Sequence, residues 1–342
     1  MINFVKRWIR PITRKAEAVI LMYHRIGNPG CDPWSLAGRP ERFAEHLDIL
    51  NRNARRMGLC RLAQELREGT LKPGAVAVTF DDAGYANNLY EAKPLLEHDE
   101  VPATVFVTSG MVGREREFWW DELEAILLAP RELPRALRLE IGGQIHEWAP
   151  IEAARDFLKQ SRSHQTQGGL EGQPNSRHAL YFSVWEKLKP LSPLARAKVL
   201  DDIRTWAGNF SGLRDSHRPL TEDELRALDG STVELGAHTV SHPSLAKHSP
   251  DVQKQEIRES KRWLEDFLGT SVRAFAYPYG DHSRATAALV AQAGFELACT
   301  TQATAVLGRN NPYTLPRIAI SDWDRTEFAS CLVESFARET IG

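Results

Sequence analysis

Short apolar runs rich in β-branched residues recur along this chain, and the segments between them carry helical period. That alternation restricts the fold more than any other feature. Ala18–Met22, Ala75–Phe80, Ala103–Val107 and Val233–Gly236 read as buried strands, with Ala274–Tyr277, Glu296–Thr300 and Leu315–Ile320 as further candidates. Between them, Arg42–Asn53 spaces Phe43, Leu47 and Leu50 by four and three, and Pro250–Leu268, Ala285–Ala293 and Glu327–Ala337 have similar patterns. Strands alternating with helices predict an α/β fold with a parallel sheet, open or closed into a barrel. In either form, chemistry gathers at the C-terminal ends of the strands.

The rhythm breaks from about residue 114 to 220. Trp119–Leu128 has helical character, Leu137–Ile141 and Gln144–Trp148 flank Gly142-Gly143 as a hairpin, and Ser161–Ser176 is a polar, loop-like patch. Helical period returns in His178–Lys189 and Leu194–Trp206, so the stretch reads as a mostly helical insertion. Thr221 and Glu224 have capping-box spacing and start a helix ending near Asp229. The predicted organisation is a basic segment over 1–17, then one barrel over 18–342 interrupted by the insertion. A length of 342 residues is consistent with two domains at ~150 each or with one large α/β barrel.

With 43 Lys and Arg against 45 Asp and Glu, the net charge is -2, which removes the general electrostatic case for binding nucleic acid. Cys31, Cys60, Cys299 and Cys331 are scattered, so neither a disulfide framework nor a zinc ribbon is indicated, and a reducing compartment is expected. Lys6, Arg7, Arg10, Arg14 and Lys15, with Pro11, interrupt the apolar residues that a secretory signal would need. The run Ala18–Tyr23 is far shorter than the ~20 residues that span a bilayer. The expected location is cytoplasmic. Residues 1–15 form either a solvated first helix or a peripheral contact with the anionic inner membrane surface.

Two strand ends carry candidate chemistry. Ala75–Phe80 runs into Asp81-Asp82, a pair costly to bury unless something compensates it. Adjacent residues on a strand point to opposite sides, so one can bind a metal while the other accepts a proton; a helix N-cap or turn is the alternative. Val233–Gly236 leads to His238-Thr-Val-Ser-His242, and two histidines four apart reach one metal ion if that turn is helical. Together the two ends offer a two-histidine, one-carboxylate set with open positions, a catalytic metal arrangement.

Val78-Thr79-Phe80-Asp81-Asp82 and His238-Thr-Val-Ser-His242 resemble the first two motifs of the polysaccharide deacetylases, carbohydrate esterase family 4 or the NodB-homology family. Phe275–Gly280 resembles the third, a Pro-Tyr-Gly turn, and Leu21–Ile26 (LMYHRI) resembles an N-terminal strand of a bacterial branch. The resemblance covers about 18–112 and 221–325. It implies a distorted (β/α) barrel with fewer than eight strands, and a divalent ion, zinc first with Co2+, Ni2+ or Mn2+ as alternatives, held by Asp82, His238 and His242. Asp81 would be the base, a metal-bound water the nucleophile, and the Tyr279 N–H an oxyanion donor within the turn that includes Tyr277 and Pro278. The implied reaction removes an N-acetyl group from a glycan or a saccharide precursor. Alternatives are the same site used on another amide, as in a deformylase or cyclic amidohydrolase, or a silent saccharide-binding protein.

The chain departs from the family pattern in several places. The third motif often carries an Arg that orients the catalytic Asp; here Ala276 stands there, and Arg317 is the candidate replacement, with a surface or structural ion pair as the alternative. No histidine follows His282, so the family's C-terminal general acid is missing, and His24 at the end of the first strand is its candidate substitute. Asp322, beside Trp323, resembles the fourth motif and would raise the His24 pKa by charge proximity. The Gly usual after Asp-Asp is Ala83, followed by Gly84. Tyr85 and Trp323 are candidates for the substrate rim. Trp119-Trp120 is read as core, with a sugar-stacking platform as the alternative.

Overall fold

The computed structural model describes residues 17–82, 85–129, 132–151, 177–208 and 212–337. The basic segment 1–15, the Ala83-Gly84 departure and the polar patch 161–176 lie outside them. The described residues fall into two compact units, one within Met1–Pro29, Ser35–Gly113 and Leu220–Gly342, the other within Gly30–Trp34 and Arg114–Pro219.

In the first unit seven strands form a curled parallel half-barrel. They are β1 (Ala18–Tyr23), β2 (Ala75–Phe80), β3 (Ala103–Val107), β4 (Val233–Ala237), β5 (Ala274–Ala276), β6 (Leu297–Cys299) and β7 (Ile318–Ala319), in spatial order β6-β5-β4-β3-β2-β1-β7. The two-residue segment Arg55–Arg56 also pairs with β2. Leu315–Ile320 is a strand only at Ile318–Ala319, because Pro316 has no N–H to give a ladder. Leu315 instead makes an isolated parallel bridge to Cys299, linking the β6 edge to the chain that enters β7.

Both faces of the sheet are buried, which is why its strands read as continuous apolar runs. Val19, Leu21 and Tyr23 of β1 join one cluster with Phe43, Leu47 and Leu264, while Ala18 and Ile20 join another with Leu59, Leu62 and Leu66. On the strands the second cluster is built mainly from small residues, including Ala75, Ala77, Ala274 and Ala276. A Cβ at Gly236 would lie 2.6 Å from the Phe106 ring. Small side chains let the curled sheet close over a crowded interior.

The Pro250–Leu268 helix has its ends written locally. The Ser249 side chain accepts from the Val252 N–H, Pro250 occupies the first turn, and Gly269 ends the helix at φ 70°. Thr221 caps Glu222–Leu228 through the reciprocal box with Glu224. The helix Leu59–Glu68 was not anticipated from the sequence, although Leu59, Leu62, Ala63 and Leu66 give it a buried stripe and Gly69 its left-handed cap.

The second unit contains helices Trp119–Leu127, Arg177–Leu188 and Pro193–Trp206 and the antiparallel hairpin Leu137–Ile141/Gln144–Trp148. Gly142 and Gly143 both have positive φ, as a two-residue turn joining right-twisted strands requires. Leu137, Leu139 and Ile141 point inward, with exposed residues between them. Trp119 and Trp120 are both buried: Trp120 stacks on Phe118 at 4.7 Å and Trp119 on Trp185 at 5.8 Å. Their enclosure removes the sugar-stacking alternative and leaves them as core.

Candidate metal centre

The register of the sheet brings several strand ends to one rim. Tyr23 pairs with Phe80, Phe80 with Val105, and Val107 with Ala237, so His24, Asp81 and His238 each follow directly on a strand. The ladder continues one step further, with the Asp81 N–H donating to the Tyr23 carbonyl at 2.8 Å and the His238 N–H to that of Val107 at 2.9 Å. Beyond this step the backbone turns sharply: Asp82, Thr239, His242 and Tyr279 all have φ between 50° and 67°. Such conformations cost non-glycine residues energy and persist only where their surroundings over-determine them.

Asp82, His238 and His242 are buried, and one donor atom from each lies within 4.8 Å of the others. The Nε2 atoms of His238 and His242 stand 3.5 and 2.9 Å from Asp82 Oδ1. His238 Nδ1 is 2.8 Å from the Ala276 carbonyl, which can only accept, so Nδ1 carries the proton and Nε2 presents a lone pair. Burial lowers the His238 pKa to about 4, although the Asp81 charge opposes this. Burial alone would raise the Asp82 pKa, but His242 and His238 beside it hold the carboxyl well below its usual range. A neutral imidazole lone pair therefore faces a carboxylate oxygen; among the described residues His238 Nε2 has no hydrogen-bond partner, while the same carboxylate oxygen lies 2.9 Å from His242 Nε2. Two buried acceptors in that position call for a cation between them, and a two-histidine, one-carboxylate set suits a divalent ion.

Asp81 points to a different partner. Arg317, fully buried, grips it with two parallel bonds, Nη1 to Oδ1 at 2.6 Å and Nη2 to Oδ2 at 2.5 Å. The guanidinium is held in turn by Thr300 O, which accepts from Nε at 2.9 Å, and by Thr79 Oγ1 at 3.2 Å from Nη1. Burial pushes the Asp81 pKa up, but Arg317 and then His238 outweigh it, leaving the carboxyl below its ordinary value. Ala276, where an arginine was missing, is fully buried on β5. Of the alternative for Arg317, a surface or structural ion pair, its full burial excludes the surface form.

The expected effect of Asp322 on His24 needs correction. His24 is half-buried beside the centre, and its pKa is lowered, not raised: burial dominates over the favourable charges of Asp82 and Asp81. Asp322 is engaged elsewhere, accepting from the Arg39 N–H at 2.9 Å and from Arg39 Nε at 2.7 Å. Its charge is spent on that exposed pair.

The remaining rim candidates divide. Tyr279 places its ring edge-on to His242, with centroids 4.5 Å apart. Tyr277 is fully buried, stacks on His282 and donates its hydroxyl to the Tyr313 carbonyl at 2.9 Å, so it is a support for the turn and not a substrate contact. Pro278 is buried beside it. Tyr85 is 4% exposed and lies under the Arg25 guanidinium, 4.7 Å from its ring centre, which closes it off as an open rim. Trp323 packs partly buried against the main cluster, and its carbonyl is bonded by His46 Nε2 at 2.9 Å.

Sequence reasoning also missed a second donor group, Asp121, Glu124 and His217, buried within the second unit. There Arg214 already binds Glu124 at 2.6 Å and Glu117 at 2.7 Å. A guanidinium thus supplies the positive charge that a metal would bring.

A family model for polysaccharide deacetylase matches residues 68–133 and 203–298. The Bacillus subtilis (strain 168) protein YxkH, whose name assigns it to the polysaccharide deacetylases, is 24% identical over 102 residues, 30% of this chain and only 37% of its own length. Among solved structures, the Streptococcus pyogenes deacetylase PplD in complex with acetate superposes with a TM-score of 0.58 at 18% identity, covering 93% of this chain and 99% of that one. IcaB from Ammonifex degensii gives 0.55 at 19% identity, covering 94% and 98%. At these identities the two structures establish a shared fold.

Proposed function

Because this chain belongs to the polysaccharide deacetylase family, we propose that it hydrolyses the N-acetyl group of a glycan or saccharide precursor, releasing acetate and leaving a free amine. The observation that carries this reading is the buried set Asp82, His238 and His242, directly beside an Asp81 held in a two-pronged grip by Arg317. Asp82, His238 and His242 are the proposed ligands of a divalent ion, zinc foremost. When bound, such an ion supplies Lewis-acid polarisation of the acetyl carbonyl and acidifies a water at neutral pH.

The chain's own residues would do the rest. Asp81 stays ionised at neutral pH because Arg317 opposes the effect of burial, so it is available to accept a proton from the attacking water. Arg317 keeps both carboxylate oxygens oriented, which removes the freedom that a lone buried Asp would have. The backbone N–H of Tyr279 is the proposed donor to the tetrahedral oxyanion. His24 is the proposed acid for the departing amine, since it stands beside the centre and is not one of the three ligands.

The test is acetate release from N-acetylated substrates, from monosaccharide to lipid-linked oligosaccharide, before and after chelation and after zinc is restored. Acetate that disappears with chelator and returns with zinc is the expected result. Asp82→Ala and His242→Ala should each lose the metal while remaining folded. Metal retained in both variants, or no acetate from any substrate with metal stoichiometrically bound, would refute the proposal.

A further inference from the structure

We propose that Glu256 is a positioning residue that sets the affinity of the centre for its metal; this rests on the metal reading above. Glu256 lies on the Pro250–Leu268 helix, next to the fully buried Ile257, and does not belong to the ligand set. It acts on the turn Thr239–His242, which joins the two histidine ligands and carries φ values of 67° at Thr239 and 54° at His242.

That turn is clamped from two sides. On one, the Ser109 N–H donates to the Thr239 carbonyl at 3.1 Å and the Gly110 N–H to that of Val240 at 2.9 Å. The approach is so close that a Cβ at Gly110 would lie 2.5 Å from the Val240 oxygen. On the other, Glu256 Oε2 accepts from the Val240 and Ser241 N–H groups at 2.8 and 2.9 Å, and Oε1 accepts from the Ser241 hydroxyl at 2.5 Å. Turns with two non-glycine residues at positive φ relax unless held. The Glu256 carboxylate supplies the hold through three bonds, two of them charge-assisted contacts to successive backbone amides. Relaxation would carry His242 away from Asp82 and His238, and metal affinity depends on that convergence. Outer partners that orient ligands are worth about 10–100-fold in affinity.

The experiment measures zinc affinity of the metal-free full chain by competition with a chromophoric chelator, alongside its unfolding midpoint without metal. Glu256→Ala should weaken zinc binding by roughly 10–100-fold. Glu256→Gln, which keeps a carbonyl acceptor for the two amides, should recover most of the loss, and Ser241→Ala should weaken binding by a smaller factor than Glu256→Ala. A merely structural role would lower the unfolding midpoint while the folded protein kept its zinc affinity, and that result would overturn the inference. Should Glu256→Ala not fold, unchanged affinity in Ser241→Ala overturns it alone. If the unaltered chain binds no zinc, the metal reading itself fails and this inference falls with it.

Discussion

Replacing Arg317 with Met tests the grip on Asp81 most directly. The methionine fills much of the aliphatic volume but removes the guanidinium, so a carboxylate that is 3% exposed loses both of its charge-assisted bonds. Breaking a buried pair by deleting one partner costs about 3–5 kcal/mol, because the surviving charge is left in a low-dielectric site. The freed Thr300 carbonyl, which accepts from Arg317 Nε at 2.9 Å, adds to the loss if no water reaches it. The pH dependence follows from the direction of the Asp81 shift. In the unaltered protein the folded pKa is depressed, so the pair contributes stability above the unfolded value of ~3.9 that is lost as pH falls through the folded pKa. In the variant, burial acts without its counter-charge and the folded pKa rises above the unfolded one. The penalty is then full at neutral pH and relieved on acidification, as Asp81 takes up a proton. Urea unfolding of the metal-free proteins at pH 7 should show a deficit of about 3–5 kcal/mol that narrows toward pH 4. Arg317→Lys keeps the charge without the fork and should fall between the two. Equal stability at pH 7, or a deficit that does not change with pH, would refute the reasoning.

Three further outcomes are expected. Asp81→Asn should keep the bound metal and lose about 10²–10⁴-fold in turnover, read by acetate release and metal content together; undiminished turnover would remove the proposed base. His24→Ala should abolish the alkaline limb of the pH–rate profile, where activity falls as an acid gives up its proton, and an unaltered profile would send the search for the acid elsewhere. Trp119→Ala should destabilise the protein by about 3–5 kcal/mol without changing KM for a saccharide, as removal of a buried aromatic does; a raised KM with normal stability would restore the platform reading.

The elements visible in the sequence are those whose cause is local. Pro250–Leu268 carries its own start in Ser249-Pro250 and its own stop in Gly269, and its observed bounds are those the pattern predicts. β2 and β3 also match their apolar runs, since a strand buried on both faces needs no knowledge of its neighbours to be recognised. Asp81-Asp82 and His238-x3-His242 could be singled out because each pair is close in the chain and sits immediately after a strand. Whether the two pairs meet depends on β2, β3 and β4 being adjacent and parallel, which is a property of the sheet.

What only the tertiary structure decided lies at long range. Arg317 reaches Asp81 across 236 positions because β7 and β2 flank β1 on either side, an adjacency absent from any local pattern. Asp322 was paired in expectation with His24, but Arg39 lies 283 positions away in sequence and next to it in space. Tyr277 and Tyr279 are two residues apart in one turn, yet one is sealed against the Tyr313 carbonyl and the other faces His242. Residue type and spacing select which side chains can do chemistry. Burial and the positions of opposite charges decide which protonation states they hold, and both arise from packing between segments that the sequence keeps apart.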